Sequence, residues 1–133
     1  MASIPRIRPQ GLISNSAFSH VAIVPPGATT IYVGGQNAVD ADGSLVGEGD
    51  VAVQSARALE NAPTALAAAG ATLATLCSGQ CSFVDGVDLA AAYGAIGSEL
   101  ASDEPALVTG ARVTAVGVPG ALGEISAVAA VMR

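Results

Sequence analysis

Breaks in the apolar sequence decide what this chain can fold into. Asp, Glu, Gly or Pro interrupts every apolar run well short of the roughly 18 residues that a membrane-crossing helix needs. Yet 51% of the 133 residues are hydrophobic, with 28 alanines and 16 glycines, which suits short elements in thin, closely packed layers. We therefore expect one folded domain over residues 1–133 and no membrane partner.

The first part of the sequence predicts an arm followed by a β-hairpin. Residues 1–17 include two prolines and predict an irregular N-terminal arm. The runs His20–Val24 and Thr29–Val33 are rich in strand-forming residues and flank Pro25-Pro26-Gly27. Proline fixes φ and glycine also allows positive φ values, a combination that favours a turn. We therefore expect the two runs to pair with each other.

The rest of the sequence predicts two helices and three strands. Asp50 is the predicted N-cap of a helix that stops at Gly70 and bends near Pro63, where a backbone donor is missing. The other predicted elements are a strand over Leu73–Val84, a helix over Leu89–Leu100 capped by Asp85 or Asp88, and a closing hairpin of Ala111–Val118 and Gly123–Met132 around Pro119-Gly120. Mostly antiparallel strands with both helices on one sheet face make a two-layer α+β domain, whose other face is left for a partner.

The charged residues limit the possible partners and chemistry. The chain has 11 acidic residues against five arginines, contains no lysine, and carries a net charge of −6. The absence of lysine excludes Schiff-base and phosphate-loop lysine chemistry, and the absence of a basic cluster argues against nucleic acid as a partner. A net-hydrophobic acidic chain of this size is expected to bury apolar surface in a homo-oligomer. No apolar block of signal-peptide length follows the N-terminus, so we expect a cytoplasmic protein.

Metal and cofactor sites are not expected. Cys77 and Cys81 are the only thiols, and on a strand their Cα atoms would lie about 13 Å apart, too far for a disulfide. We interpret both as buried small apolar residues. His20, the only histidine, lies far from them along the chain, so we predict no metal site. Gly47-x-Gly49 lacks the third glycine and the lysine of a phosphate loop, so we predict no cofactor.

Arg112 and Glu124 are isolated charges on the two predicted closing strands. Among Val, Thr, Ala and Gly, the Arg112 guanidinium is either paired with a carboxylate of the protein or left to receive the carboxylate of a ligand. Glu124 lies among apolar residues, where desolvation fits a carboxyl group to proton transfer. A structural pair between Arg112 and Glu124 accounts for the same residues. Whether the two side chains share a sheet face depends on the pairing register, because a shift of one residue moves a side chain to the other face.

An ordered set of short segments resembles one family. The segments are Ala17-Phe18-Ser19-His20, Tyr32-Val33-Gly34-Gly35-Gln36, Asp42-Gly43-Ser44-Leu45-Val46-Gly47, Leu59-Glu60-Asn61, Phe83-Val84-Asp85, Ala111-Arg112 and Glu124-Ile125-Ser126-Ala127-Val128-Ala129. In this order, over residues 17–131, they are similar to the RidA (YjgF/YER057c/UK114) proteins, small trimeric enzymes that hydrolyse reactive enamines and imines.

The resemblance implies a chorismate-mutase-like fold of the bacillus type, assembled as a homotrimer around a central β-barrel with active sites between subunits. It implies that Arg112 binds the substrate carboxylate and that Glu124 holds or activates the hydrolytic water, without a metal. The substrate is then a 2-imino or 2-aminoacrylate-type acid, which is hydrolysed to a 2-keto acid and ammonia. The substrate-binding positions that it implies are Phe18, Gly34, Gly35, Tyr93 and Thr114.

Several positions depart from the family's pattern. Phe18 replaces a tyrosine, Tyr93 an asparagine, Gly110 a proline and Thr114 a small or thiol residue, and the stretch from Arg112 to Glu124 is shorter. Two alternatives therefore stay open. One is a trimer that binds small carboxylates without turnover, and the other is a family member that acts on another imine or carbonyl substrate in a widened cleft. A ribonuclease role, sometimes attached to this family, is the weakest because the chain is acidic and lacks lysine.

Overall fold

The computed structural model describes residues 4–133, so residues 1–3 of the predicted arm lie outside the described range. The elements are β1 (Arg6–Ile7), β2 (Val21–Ala22), β3 (Ala28–Gln36), α1 (Val51–Ala68), β4 (Leu76–Val84), α2 (Leu89–Leu100), β5 (Leu107–Val113) and β6 (Gly123–Met132). A 3-10 turn precedes β4. One mixed sheet contains β3, β6, β4 and β5 in that spatial order, and β1 and β2 form a separate two-stranded ribbon.

The predicted α+β architecture is confirmed, because α1 and α2 pack on the mixed four-stranded sheet. Leu59 of α1 and Ile96 of α2 are buried against Cys81 and Phe83 of β4, and Ile125 of β6 belongs to the same core cluster. Neither helix of the described chain is long and apolar enough to cross a bilayer. The homotrimer and its central barrel stay predictions.

The helix ends follow the local sequence signals. The Asp50 carboxylate accepts a hydrogen bond of 3.1 Å from the backbone N–H three residues further on, as predicted for the N-cap of α1. Gly70 follows the end of α1 with a φ of +73°, which glycine adopts without strain. Pro63 lies inside this continuous helix, and the bend there stays a prediction. Of the two candidate caps for α2, Asp88 makes the cap and Asp85 does not.

The predicted N-terminal hairpin is wrong. β2 pairs antiparallel with β1, a strand inside the arm that we predicted to be irregular. β3 instead pairs antiparallel with β6, starting at Ala28↔Met132. The lengths explain the choice: β3 has 9 residues and β6 has 10, whereas β2 has only 2. A long ladder of backbone hydrogen bonds outweighs a local turn signal.

The predicted closing hairpin is also wrong. β5 covers Leu107–Val113 instead of Ala111–Val118 and pairs with β4 in parallel, whereas β6 lies between β3 and β4. Parallel neighbours require a long crossover connection, which α2 supplies between β4 and β5. Arg112 and Glu124 therefore lie on strands that are separated by β4.

Apolar and polar residues alternate along β4 and give the strand two different faces. Cys81 and Phe83 are buried towards the helices, whereas Gln80 and Ser82 face the other way. The strand begins at Leu76, because the preceding three residues form the 3-10 turn instead of strand. Both cysteines are buried and free, as predicted.

Candidate functional site

The register of the sheet determines where Arg112 and Glu124 point. Arg112 lies opposite Phe83 of β4, and Glu124 lies opposite Ser82, the preceding residue of the same strand. Paired residues on neighbouring strands direct their side chains to the same face, and successive residues alternate. Arg112 therefore shares the helix-packed face with Phe83, and Glu124 shares the opposite, helix-free face with Ser82.

Arg112 and Glu124 do not form a pair within one protomer. The strands that carry them are two strand spacings apart, or about 10 Å of sheet, and the side chains begin on opposite faces. The structural ion pair that the sequence left open is therefore excluded within a protomer. The structure also separates the other predicted site residues into two groups.

The Arg112 side chain differs from the other arginines in its hydrogen bonding. The other four arginines donate hydrogen bonds to protein oxygens, Arg6, Arg8 and Arg133 to backbone carbonyls and Arg57 to the side chain of Asn61. Within residues 4–133, Arg112 is the arginine whose side chain has no such partner. Its side chain is solvent-exposed near the end of β5, the edge strand of the sheet.

An apolar cavity of about 360 Å³ lies between α2 and β5, and Gly110, two residues before Arg112 on the same face of β5, is one of its lining residues. The N-terminal arm closes one side of it, because the Ser19 N–H donates to the carbonyl of Ala106 at 3.1 Å and holds Phe18 next to the sheet edge. Two predicted substrate-binding residues, Phe18 and Tyr93, thus meet at this cavity. Its lining residues are Ala17, Phe18, Cys81, Tyr93, Ile96, Gly97, Leu100, Val108 and Gly110.

Tyr93 packs closely on the backbone of β5. Its ring meets Phe83 edge-on, with ring centroids 5.2 Å apart, and a β-carbon at Gly110 would lie 3.4 Å from Cζ and still closer to the phenol oxygen. Burial raises the pKa of the Tyr93 phenol, and nearby Cys81 raises it further. Burial also raises the pKa of the Cys81 thiol. Both groups therefore remain protonated and uncharged near pH 7. We call Arg112, Tyr93, Phe18 and Gly110 the arginine cluster.

Glu124 lies against the glycines of β3, on the far side of the sheet from the arginine cluster. The pairing of β3 with β6 is irregular between Val33 and Gln36, and Gly34 and Gly35 form this irregular segment. A β-carbon at Gly35 would lie 2.5 Å from Cδ of Glu124, whereas one at Gly34 would meet nothing within 4 Å. The Glu124 side chain thus occupies space that only a glycine at position 35 leaves open. We call Glu124, Gly34 and Gly35 the glutamate cluster.

Buried amides that the sequence reading missed hold the start of β6. The Asn37 side chain donates to the backbone carbonyl of Gly123, the residue before Glu124, at 2.9 Å. The backbone carbonyl of Asn37 accepts from the Asn61 side chain at 3.0 Å. Gln54 of α1 accepts at 2.8 Å from the backbone N–H of Leu122. Gln54 and Asn61 lie seven residues apart on an alanine-rich helix, which places both amides on one helix face. This spacing was the sequence signal that could have identified them.

Thr114 belongs to neither cluster. It lies one residue past the end of β5 and is exposed. Gly110 adds no open space to the cavity, because the Tyr93 phenol occupies the position that a β-carbon of residue 110 would take. The part of the chain that the structure describes contains no group of three or more His, Cys, Asp or Glu able to hold a metal ion.

Two helices on one face of a mixed four-stranded sheet define the class of small two-layer α+β proteins with the L-PSP fold. A family model described as Endoribonuclease L-PSP matches residues 10–131. The chain belongs to this family, which is also called the Rid or YjgF family.

Solved structures agree with this assignment. The chain is 31% identical to YyfB of Yersinia pestis, a Rid family protein of unknown function, with a TM-score of 0.86 over 98% of this chain and 100% of that one. It is 26% identical to Rv2704 of Mycobacterium tuberculosis, a YjgF/YER057c/UK114 family member, with a TM-score of 0.64 over 85% and 86%. RidA of Psychrobacter sp. PAMC 21119 is 21% identical, with a TM-score of 0.68 over 90% and 98%, and shares the fold. No curated protein matches this chain.

Proposed function

We propose that this protein hydrolyses the C=N bond of 2-imino acids and their enamine tautomers, giving 2-keto acids and ammonia. The single observation that carries the proposal is the exposed Arg112 side chain, which makes no hydrogen bond to the protein within residues 4–133, whereas the other four arginines do. A planar guanidinium fork matches a planar carboxylate with two parallel hydrogen bonds, and the 2-imino acid presents this group next to its reactive carbon.

Glu124 is the proposed acid-base group. Its carboxylate takes a proton from water while the water oxygen attacks C2 of the imine, and Glu124 passes this proton to the imine nitrogen. In the resulting carbinolamine, Glu124 takes the proton of the new hydroxyl group and gives it to the nitrogen. The C–N bond then breaks, the oxygen becomes the keto oxygen, and the nitrogen leaves as ammonia. One water is consumed, and Glu124 ends as a carboxylate again.

The separation of the two clusters favours a site shared between protomers. Arg112 and Glu124 lie on strands that β4 separates and on opposite faces of the sheet, so one chain does not unite them. In a closed ring of three copies, the arginine cluster of one protomer can meet the glutamate cluster of the next. The helix-free face also offers contact surface, since it carries Tyr32 at 79% exposure beside a groove of about 330 Å³. We propose a homotrimer on these grounds.

The second candidate is a trimer that binds carboxylates without turnover. The specific observation that favours it is the composition of the arginine cluster, because Phe18 and Tyr93 supply packing surface there and the acid-base group lies elsewhere. A ribonuclease function has less support. The net charge is −6, and the arginines other than Arg112 are engaged with protein oxygens, so little is left to hold phosphates.

A trapping assay tests the proposal. An amino-acid oxidase generates the 2-imino acid, semicarbazide traps what remains, and the wild-type protein is expected to lower the amount trapped. Arg112→Ala is expected to reduce kcat/KM by about 10- to 100-fold, because a charge-assisted double hydrogen bond is lost. Arg133→Ala, which removes the same charge from the exposed chain end, is the matched control and should retain activity.

Two outcomes of this assay would count against the enzyme. They are unchanged trapping at high protein concentration and full activity of Arg112→Ala. A 2-keto acid that raises the melting temperature of wild type without any deamination would instead support the binding protein.

A further inference from the structure

We propose that the cavity between α2 and β5 holds the apolar side chain of the acid whose carboxylate Arg112 binds, so that the preferred ligands carry an aryl or long alkyl group. The inference rests on the proposed function only for the role of Arg112 as carboxylate anchor. It assigns the substrate class of that same site.

The cavity and the guanidinium lie in one row along β5. Val108, Gly110 and Arg112 are alternate residues of the strand and therefore face the same way, and the first two line the cavity. Alternate residues of a strand are about 6.6 Å apart, which is within the reach of an arginine side chain. Because the Tyr93 phenol covers Gly110, a ligand whose carboxylate meets Arg112 passes beside this phenol and places its side chain next to Val108, in the cavity.

The cavity walls suit an apolar group. No charged side chain lines the cavity, and its side-chain polar atoms are the Tyr93 hydroxyl and the Cys81 thiol. Cys81 is only 1% exposed, and both groups stay uncharged near neutral pH because their pKa values are raised by burial. A second charge on the ligand would lose its water here without gaining a partner, which costs free energy. Removing an apolar group from water is instead favourable.

The size of the cavity separates large side chains from small ones. At about 360 Å³ it is larger than the ~150 Å³ cavity that suffices for benzene in a protein core. A methyl or ethyl group would leave most of it empty. Gly97 of α2 contributes to this size, because it lines the cavity and a β-carbon there would meet nothing within 4 Å.

A matched pair of keto acids tests the inference by calorimetric titration. 2-Oxobutanoate and 2-oxo-4-phenylbutanoate differ only by the terminal phenyl ring. The wild-type protein is expected to bind the phenyl compound about tenfold or more tightly, as burial of a ring in an apolar site predicts. Benzyl alcohol, which has the ring without the carboxylate, is expected to bind weakly.

Substitutions on α2 test whether the preference for the phenyl compound arises in the cavity. Gly97→Leu fills the cavity and is expected to bring the ratio of the two affinities towards one, with a smaller change in Gly97→Ala. Gly94→Leu is the matched control on the same helix, since Gly94 also has open space but does not line the cavity, and it should keep the wild-type ratio. Gly97→Ala also guards against misfolding, because alanine favours a helix more than glycine does.

The outcomes separate this inference from the proposed function. Equal affinities for the two keto acids in wild type, or an unchanged ratio in folded Gly97→Leu, would overturn the inference while leaving deamination of small imines possible. Preferential binding of the phenyl compound without deamination of its imine would uphold the cavity and refute the enzyme.

Discussion

The phenol oxygen of Tyr93 occupies the space that a β-carbon on Gly110 would need. Tyr93 is on α2 and Gly110 is on β5, and both line the cavity, so the contact limits how closely helix and strand approach each other there. In the family's pattern, an asparagine and a proline stand at these two positions. The two departures are therefore linked, because a tyrosine on α2 requires the smallest residue on the strand below it.

A double-mutant cycle tests this link. Gly110→Ala should cost about 1 kcal/mol of unfolding free energy in the wild-type background, because the Tyr93 ring must move. In the Tyr93→Ala background the same change should be neutral or stabilise by about 0.5 kcal/mol, since alanine is less flexible than glycine in a strand. Urea unfolding of the four proteins gives the coupling, and effects that add within about 0.3 kcal/mol would refute the link.

Neighbouring glycines provide a sharp test of Glu124. Gly35→Ala places a methyl group where the Glu124 side chain lies. The methyl group of Gly34→Ala would contact no other residue of the same chain within 4 Å. Because a displacement of about 1 Å of a catalytic group can cost roughly 100-fold, we expect kcat of Gly35→Ala to fall by about that factor. Gly34→Ala should change kcat by less than about threefold. Steady-state deamination rates decide the matter, and similar rates for the two variants would contradict the placement of Glu124.

The buried Cys81 thiol predicts a loss of stability at alkaline pH. Burial raises the pKa of Cys81 in the folded protein, whereas the unfolded thiol ionises near pH 8.5. Below about pH 8.5 the thiol is protonated in both states, and its contribution to the free energy of unfolding is complete. Above that pH the thiol of the unfolded chain loses its proton first. This favours the unfolded state, so the free energy of unfolding falls as the pH rises. This decline should be shallower in Cys81→Ala, measured by urea unfolding between pH 7.5 and 9.5.

Cys77 keeps part of the alkaline decline in that variant. Burial raises its pKa as well, although the nearby Arg6 charge opposes the shift. The slope should therefore decrease without vanishing. An identical pH dependence in wild type and Cys81→Ala would show that the Cys81 thiol ionises as easily when folded as when unfolded.

Local signals predicted the helices well. Asp50 and Asp88 each accept a backbone hydrogen bond at the start of a helix, and Gly70 follows the end of α1. Capping depends on residues within one turn, so a single sequence contains the information. The alternation of Cys81 and Phe83 with polar residues likewise indicated the buried face of β4.

Strand partners could not be predicted in the same way. The Pro119-Gly120 turn resembles a hairpin turn, but β6 pairs with β3 and β4, and β5 reaches β4 in parallel through α2. These pairings depend on contacts between residues far apart in the sequence. For this reason the sequence named Arg112 and Glu124 correctly as isolated charges, whereas their placement on opposite faces required the structure.

The most direct test of the shared site mixes two inactive variants. Arg112→Ala and Glu124→Gln, each expected to be nearly inactive alone, are unfolded together in equal amounts and refolded. If one protomer supplies Arg112 and its neighbour supplies Glu124, random assembly leaves about a quarter of the sites with both groups, and about a quarter of wild-type deamination should return. No activity in the mixture, beside a wild-type sample that regains activity after the same treatment, would contradict a site built from two protomers.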